Sequence, residues 1–203
     1  MKAHFYKFFP WSLLWLRVLL GPVIIFMSAA ESVPNSLLAS IVCLALLTDI
    51  FDGILARRFG TATELLRRAD CWADNFFWLC AGFALFNRFP EAFIQIRYLV
   101  IAFLVMEVST ELFHFYRFGR ESSIHSLIAK SFGLALLAAF GAMLLFGGPV
   151  WLLIAALSLG IISQLERMVI TGLLREQESD IPGIRHALQR RRGEAIKRNR
   201  LFN

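Results

Sequence analysis

Six apolar stretches, each close to 20 residues long, occupy most of the 203-residue chain. A helix needs about 20 apolar residues to cross the hydrocarbon core of a bilayer. Hydrophobic residues make up 58% of the chain and charged residues 18%, whereas a soluble domain is nearer half apolar and about a quarter charged. A water-soluble enzyme, a nucleic-acid-binding module and a disordered chain are therefore poor fits. We predict an all-α, polytopic membrane bundle of six transmembrane helices, at 11–29, 35–56, 71–88, 92–115, 126–147 and 149–173.

The positions of the 21 Lys and Arg residues orient the predicted bundle. Segments 30–34 and 147–149 contain none, and segment 87–97 contains only Arg88 and Arg97. The other 19 fall on the opposite side of the membrane if six helices alternate. Because cytoplasmic loops are enriched in Lys and Arg, we expect an integral protein of the bacterial inner membrane with both termini cytoplasmic.

The chain changes character near residue 181. We predict a membrane domain at 1–180 and a basic cytoplasmic tail at 181–203, which contains seven of the Lys and Arg residues. Such residues attract anionic lipid headgroups by about 1 kcal/mol each, although topology and solubility alone would also account for them. The net charge of +6 does not indicate nucleic acid, because the basic residues lie between and beyond the apolar blocks.

Four of the five aspartates lie within 26 residues, at the cytoplasmic ends of the second and third predicted helices. Asp49 and Asp52 are spaced to share one helix face, and Asp70 and Asp74 are spaced to share another. The short connection at 57–69 makes the two helices antiparallel neighbours. We therefore expect the four carboxylates to converge on one pocket, open to the cytoplasm.

Four carboxylates brought together repel one another unless a positive group lies among them. Oxygen ligands without His or Cys favour Mg²⁺ or Mn²⁺, and a pair of such ions can clamp a diphosphate during displacement at phosphorus. Gly53 and Ala56 lie on the face of Asp49 and Asp52 and leave room for a bulky ligand. Arg57 can neutralise a phosphate through two parallel hydrogen bonds.

The stretch from Asp49 to Arg57, DIFDGILAR, followed by Asp70 and Asp74, resembles the signature of the CDP-alcohol phosphatidyltransferases, D-x2-D-G-x2-A-R-x8-G-x3-D-x3-D. Every fixed position matches except the second glycine, which is Leu66 here. The resemblance implies a six-helix membrane enzyme of phospholipid biosynthesis. Such an enzyme transfers a phosphatidyl group from CDP-diacylglycerol to a small alcohol, releases CMP and uses Mg²⁺ or Mn²⁺, with two ions expected.

The resemblance also implies roles for individual residues. The implied metal ligands are Asp49, Asp52, Asp70 and Asp74. Asp74 would in addition be the catalytic general base. The implied contacts to the CDP portion of the donor are Asp49, Gly53, Ala56 and Arg57. Leu66 lies one turn before Asp70 on the same face, where the family keeps room, so the cytidine is expected to shift or this subgroup to differ.

Several basic residues could bind a phosphorylated acceptor. Related proteins often have a lysine near the position of Lys130, and Arg67 is well placed to balance the charge of Asp70. The candidates for contact with an acceptor phosphate are Lys130, Arg67, Arg117 and Arg120. Glycerol 3-phosphate is the first choice of acceptor, and inositol phosphate, inositol and serine stay open.

Two other functions are also compatible with the sequence. An intramembrane transferase acting on prenyl diphosphates also uses aspartates and Mg²⁺, but it usually has two separate Asp-rich motifs and a longer chain. A carboxylate-lined ion or metal transporter should have polar residues at mid-membrane on several helices, whereas these aspartates gather at one interface. The expected partners are CDP-diacylglycerol, a small alcohol and membrane lipid, and a homodimer is compatible with the sequence.

A few polar residues interrupt the apolar stretches outside the aspartate cluster. Arg17 is followed by Leu-Gly-Pro, which resembles the first helix of the family. Glu107 and Glu111 share a helix face in the fourth predicted helix. Glu166 adjoins Arg167 in the sixth, and we expect it to form an ion pair inside the bundle. Ionisable residues within membrane helices often mark functional sites.

Overall fold

The computed structural model describes residues 2–58, 63–120, 122, 124, 126–178 and 181–194. Within these ranges the structure describes only the backbone of some helical residues, namely 2–8, 53, 56–58, 64 and 67. The described residues form helices and contain no strand, which confirms the all-α prediction. In chain order the helices are α1 Lys2–Ala29, α2 Asn35–Arg58, α3 Glu64–Arg88, α4 Pro90–Gln95, α5 Arg97–Phe118, α6 Leu127–Phe146, α7 Val150–Leu173 and α8 Ile184–Arg191.

Five helices in the described part of the chain are long and apolar enough to cross a membrane. These segments are Phe9–Ala29, Asn35–Asp52, Arg97–Phe118, Leu127–Phe146 and Val150–Leu173. The predicted helix at 71–88 corresponds to the second part of α3, which has the required length. Four polar residues lower its hydropathy: Asp74, Asn75, Asn87 and Arg88. A sixth membrane-spanning helix therefore stays a prediction.

Helices α1 to α4 and the segment Phe140–Pro149 form one compact unit, in which α1 packs against both α2 and α3. Gly21 permits a close approach of α1 to α3. A Cβ atom at this position would lie 3.0 Å from Cys80 Sγ and 3.0 Å from Phe76 Cε1. Because such short contacts are strained, a larger residue would push α1 away from α3. Gly21 therefore helps to bring α1 and α3 into contact one turn after Arg17.

Arg88, the last residue of α3, holds the carboxyl end of α1. Its Nη2 atom donates to the carbonyl oxygens of Met27 at 3.3 Å, Ala30 at 2.9 Å and Val33 at 2.8 Å. The last carbonyls of a helix have no partners within the helix and carry partial negative charge. The guanidinium of Arg88 satisfies part of this need and ties α3 to the connection between α1 and α2.

The described residues of Ile96–Ala139 and Val150–Asn203 form a second compact unit. Its centre is the contact between α5 and α7. Gly160 of α7 makes this contact close, since a Cβ atom there would lie 2.7 Å from the Phe103 ring and 2.8 Å from the Phe132 ring. Helix α8 packs on the unit through an apolar cluster composed of Ile124, Ile170, Leu174, Ile181 and Ala187.

Helices α5 and α7 also share an ion cluster. Arg167 donates to Glu111 and lies 3.6 Å from Glu107, which in turn accepts a hydrogen bond from Gln164. The sequence places Glu166 beside Arg167, but neighbouring residues on a helix do not face each other. Arg167 pairs instead with the two glutamates of α5. The Oε2 atom of Glu166 is buried and has no hydrogen-bond partner among the described residues.

Replacing Arg167 by Met should destabilise the second unit, because Glu107 and Glu111 would lose the positive charge that compensates their burial. Removing one member of a buried ion pair costs about 3–5 kcal/mol. Since both glutamates keep some exposure to solvent, we expect a loss of about 1–3 kcal/mol in the free energy of unfolding. Thermal unfolding in detergent measures the change.

The matched control is Arg190→Met, which removes an arginine from a more exposed pair with Glu178 at 2.8 Å. Exposed pairs contribute about 0–1 kcal/mol, so this variant should unfold close to the temperature of the wild type. Equal destabilisation by both substitutions would contradict a stabilising role for the α5–α7 cluster.

Candidate functional site

The four clustered aspartates come together around one arginine in the first compact unit. Asp49 and Asp52 project from α2, Asp70 and Asp74 project from α3, and Arg17 projects from α1. The side chain of Arg17 is 1% exposed. Three helices therefore contribute charged groups to a single cluster.

The guanidinium of Arg17 reaches all four carboxylates. Its Nη1 atom lies 3.2 Å from Asp49 Oδ1 and 2.9 Å from Asp70 Oδ1, and it also donates to Asp74 Oδ1. Its Nη2 atom donates to Asp52 Oδ2 at 2.5 Å. Charge-assisted hydrogen bonds of this kind are about twice as strong as those between neutral groups. They offset part of the repulsion among the four negative charges.

Three of the carboxylates are suitably placed for a cation. Oxygen atoms of Asp49, Asp70 and Asp74 lie within 4.8 Å of one another. Their side chains are 33%, 28% and 31% exposed, whereas that of Asp52 is 7% exposed. Solvent and ions can therefore reach these three, while Asp52 lies deeper and bonds to Arg17.

Arg17 is the functional candidate that the sequence analysis missed. The spacing of the four aspartates predicted a positive group among them, for which divalent cations and Arg67 were the candidates. The available signal was a single arginine within an otherwise apolar helix, because a charge in such a place is costly and needs partners. Arg17 is such an arginine, and the four aspartates are its partners.

Leu66, at the position where the family signature has glycine, is buried in the same unit. It packs with Leu14 of α1 and Ala73 of α3, and its side chain is 7% exposed. Thr63 caps the start of α3 by accepting a hydrogen bond from the Leu66 N–H at 3.2 Å. Leu66 therefore joins α3 to α1 at Leu14, which lies one turn before Arg17.

Several predicted binding residues are described only through their backbone. Gly53, Ala56 and Arg57 lie in α2 and Arg67 lies in α3, but their side chains are outside the described part of the chain. Their predicted contacts with the donor or with an acceptor phosphate stay predictions.

The other candidates for an acceptor phosphate belong to the second compact unit. Lys130 lies in the first turn of α6 and is exposed. Arg117 donates to the Leu174 carbonyl oxygen at 2.8 Å and lies over the Phe118 ring, so it already has a structural role in joining α5 to the end of α7. Arg120, also exposed, follows Gly119, which ends α5 in a left-handed conformation with φ of 68°. Their acceptor role stays a prediction.

Comparison with known proteins identifies one matching family. The family model described as CDP-alcohol phosphatidyltransferase matches residues 8–190, which is most of the chain and includes all four clustered aspartates. This match gives no support to a prenyl-diphosphate transferase or to an ion transporter. Searches among curated proteins and among solved structures found no match.

The burial of Leu66 predicts that Leu66→Ala destabilises the protein. Removing a buried leucine side chain costs about 2–5 kcal/mol, and loss of this contact with Leu14 should lower the melting temperature in detergent. Leu65 provides a matched control, because it is the adjacent leucine of the same helix and is 64% exposed. Equal melting temperatures for Leu66→Ala and Leu65→Ala would contradict the packing role of Leu66.

Proposed function

The chain belongs to the CDP-alcohol phosphatidyltransferase family, and on that premise we propose that it transfers a phosphatidyl group from CDP-diacylglycerol to a small alcohol and releases CMP. The family implies an enzyme that transfers phospholipid headgroups in a membrane, and the five apolar helices agree with an integral membrane protein. The observation that carries the proposal is the gathering of the four signature aspartates around one point.

The residues of the cluster fit a divalent cation of the Mg²⁺ or Mn²⁺ type. The ligand atoms that the described side chains of this cluster offer are carboxylate oxygens, which these ions prefer. Oxygens that share one octahedral Mg²⁺ at 2.0–2.1 Å lie about 3–4 Å apart. Since those of Asp49, Asp70 and Asp74 lie within 4.8 Å of one another, small side-chain movements would bring them to this geometry. We propose that these residues and Asp52 hold two ions.

The reaction needs one proton acceptor and one leaving group. The acceptor hydroxyl forms a bond to the lipid-side phosphorus, and the bond from this phosphorus to the bridging oxygen of the diphosphate breaks. The bonding electrons leave with CMP, and the hydroxyl proton passes to a carboxylate oxygen of Asp74. Divalent cations, when bound, would neutralise the charge of the diphosphate. Asp74 suits the role of base because its side chain is accessible and lies among the proposed ligands.

The donor would bind along α2. Asp49 and Asp52 precede Gly53 and Ala56 on one face of this helix, and small residues there leave room for the CDP portion near the backbone. Arg57 would contact a phosphate. The acyl chains of the donor remain in the bilayer, so a site at the membrane interface suits the substrate.

The acceptor that we propose first is glycerol 3-phosphate. Its phosphate would be matched by basic side chains, for which Lys130, Arg67, Arg117 and Arg120 are the candidates. Inositol phosphate would use the same charge complementarity, whereas inositol and serine would not need it. An acceptor screen with purified protein separates these substrates.

The location that we propose is the bacterial inner membrane, with the site and both termini on the cytoplasmic side. The support is the placement of 19 of the 21 Lys and Arg residues on one side of six alternating helices. We propose residues 1–180 as the membrane domain and 181–203 as a basic tail, and we retain a homodimer as the assembly to test.

The protein in detergent should release CMP from CDP-diacylglycerol when a suitable alcohol and Mg²⁺ or Mn²⁺ are present. Removal of divalent ions by EDTA should abolish the release, and adding back Mg²⁺ or Mn²⁺ should restore it, because the carboxylates would otherwise repel the diphosphate. Chromatography of the nucleotide products measures CMP. Absence of CMP with glycerol 3-phosphate, inositol phosphate, inositol and serine alike would contradict the proposed function.

Replacing Asp74 by Asn removes the proposed base and one proposed ligand while keeping the size of the side chain. A general base contributes about 10²–10⁴-fold to a rate, so we expect at least about a hundredfold less CMP release from a folded protein. Glu91→Gln is the control, because it neutralises an exposed acid of α4. Activity of Asp74→Asn equal to that of Glu91→Gln would remove Asp74 from the mechanism.

A further inference from the structure

Arg17 occupies the position among the carboxylates that a cation would also take. Its Nη1 atom contacts Asp49, Asp70 and Asp74, and these are the three residues whose oxygens are close enough to share a metal ion. A metal ion bound 2.0–2.1 Å from oxygens of these carboxylates would lie close to Nη1, which is 2.9 Å from Asp70 Oδ1 and 3.2 Å from Asp49 Oδ1. Because the ion and the guanidinium are both positive, they repel each other at this short distance, and the carboxylates cannot bind both without a cost in free energy.

We propose that Arg17 is a positioning residue that gathers the carboxylates and competes with the divalent cation for them. A cation that enters the cluster displaces Nη1 from Asp49, Asp70 and Asp74. The Nη2 atom keeps its bond to Asp52, which lies deeper than the other three carboxylates. This inference rests on the proposed function, because it assumes that the cluster holds a metal.

The charges of the cluster explain why the four carboxylates need both Arg17 and divalent ions. Arg17 alone leaves three of the four negative charges uncompensated. One divalent ion with Arg17 leaves a single negative charge, and two divalent ions with Arg17 give a net positive charge that suits an incoming diphosphate. Arg17 therefore adds to the attraction for the donor, although its Nη1 atom opposes entry of the cation.

The geometry of the arginine allows such a movement. Both terminal nitrogens of Arg17 bind carboxylates, while its buried Nε atom has no hydrogen-bond partner among the described residues. A turn of the guanidinium that withdraws Nη1 therefore breaks no hydrogen bond at Nε. The aspartates that Nη1 would leave are accessible to solvent, so the cation can reach them.

Mn²⁺ affinity separates this role from a merely structural one. If Arg17 only stabilised the fold, Arg17→Gln would lower the melting temperature and leave Mn²⁺ affinity unchanged or weaker. If Arg17 competes, removing its charge from about 3 Å away strengthens the attraction of the carboxylates for Mn²⁺. Coulomb attraction at this distance is large enough for an effect of about tenfold or more.

The experiment measures Mn²⁺ binding to the full chain in detergent, without lipid donor, by the electron paramagnetic resonance signal of free Mn²⁺. Arg17→Gln should bind Mn²⁺ at least about tenfold more tightly than the wild type. Arg88→Gln is the matched control, since it removes a half-buried arginine of the same unit whose described hydrogen bonds go to carbonyl oxygens. Its Mn²⁺ affinity should equal that of the wild type.

A second variant covers the case in which Arg17→Gln does not fold. Arg17→Lys keeps the charge but has one nitrogen, which cannot contact Asp52 and the other three aspartates in the same way. We expect its Mn²⁺ affinity to lie between those of the wild type and a variant without the charge. Affinity equal to or weaker than that of the wild type, in whichever variant folds, would overturn the competition.

The failure of this inference is distinguishable from failure of the proposed function. If the wild type binds Mn²⁺ and releases CMP while the Arg17 variants bind no more tightly, only the competition is wrong. If neither the wild type nor any variant binds Mn²⁺, the metal-dependent function is wrong and the inference is overturned with it.

Discussion

The attraction between Arg17 and four carboxylates is the interaction on which the rest of the first unit depends. Bringing four like charges together is unfavourable, and their partial removal from water increases the cost. A guanidinium is always protonated and can donate several hydrogen bonds in a plane, so one arginine can contact carboxylates from two helices. The resulting cluster joins α1, α2 and α3 at one end of the unit. Close packing at Gly21 and the buried contact of Leu66 with α1 support the same approach of the helices.

The same arrangement prepares the chemistry that the family carries out. Asp52 is buried and bound to Arg17, whereas Asp49, Asp70 and Asp74 have accessible oxygens close to one another. The buried contact of Asp52 with Arg17 therefore lies behind three accessible carboxylates, which we propose as metal ligands together with Asp52. Headgroup transfer needs concentrated positive charge for a diphosphate and a base for a hydroxyl, and a cluster of carboxylates that binds divalent cations can supply both.

Much of this organisation could be predicted from the sequence, because the length of apolar stretches and the spacing of aspartates have direct structural meaning. The all-α fold followed from the apolar stretches. The prediction of a sixth membrane helix gained no support, since polar residues at both ends of 71–88 lower the hydropathy of α3.

Pairs of residues on different helices were harder to predict from the sequence. Arg17 pairs with residues at least 32 positions away, and Arg167 pairs with glutamates of α5 rather than with its neighbour Glu166. Such contacts depend on how helices pack, which spacing within one helix does not specify.

We propose above all that aspartates from α2 and α3 form one site for divalent cations. Anomalous diffraction from crystals of the protein grown with Mn²⁺ tests it most directly, because the signal locates the ion without assumptions about the reaction. We expect an anomalous peak within coordination distance of carboxylate oxygens from Asp49, Asp70 and Asp74. A peak only elsewhere in the protein, or aspartate side chains that point to separate surfaces, would contradict it.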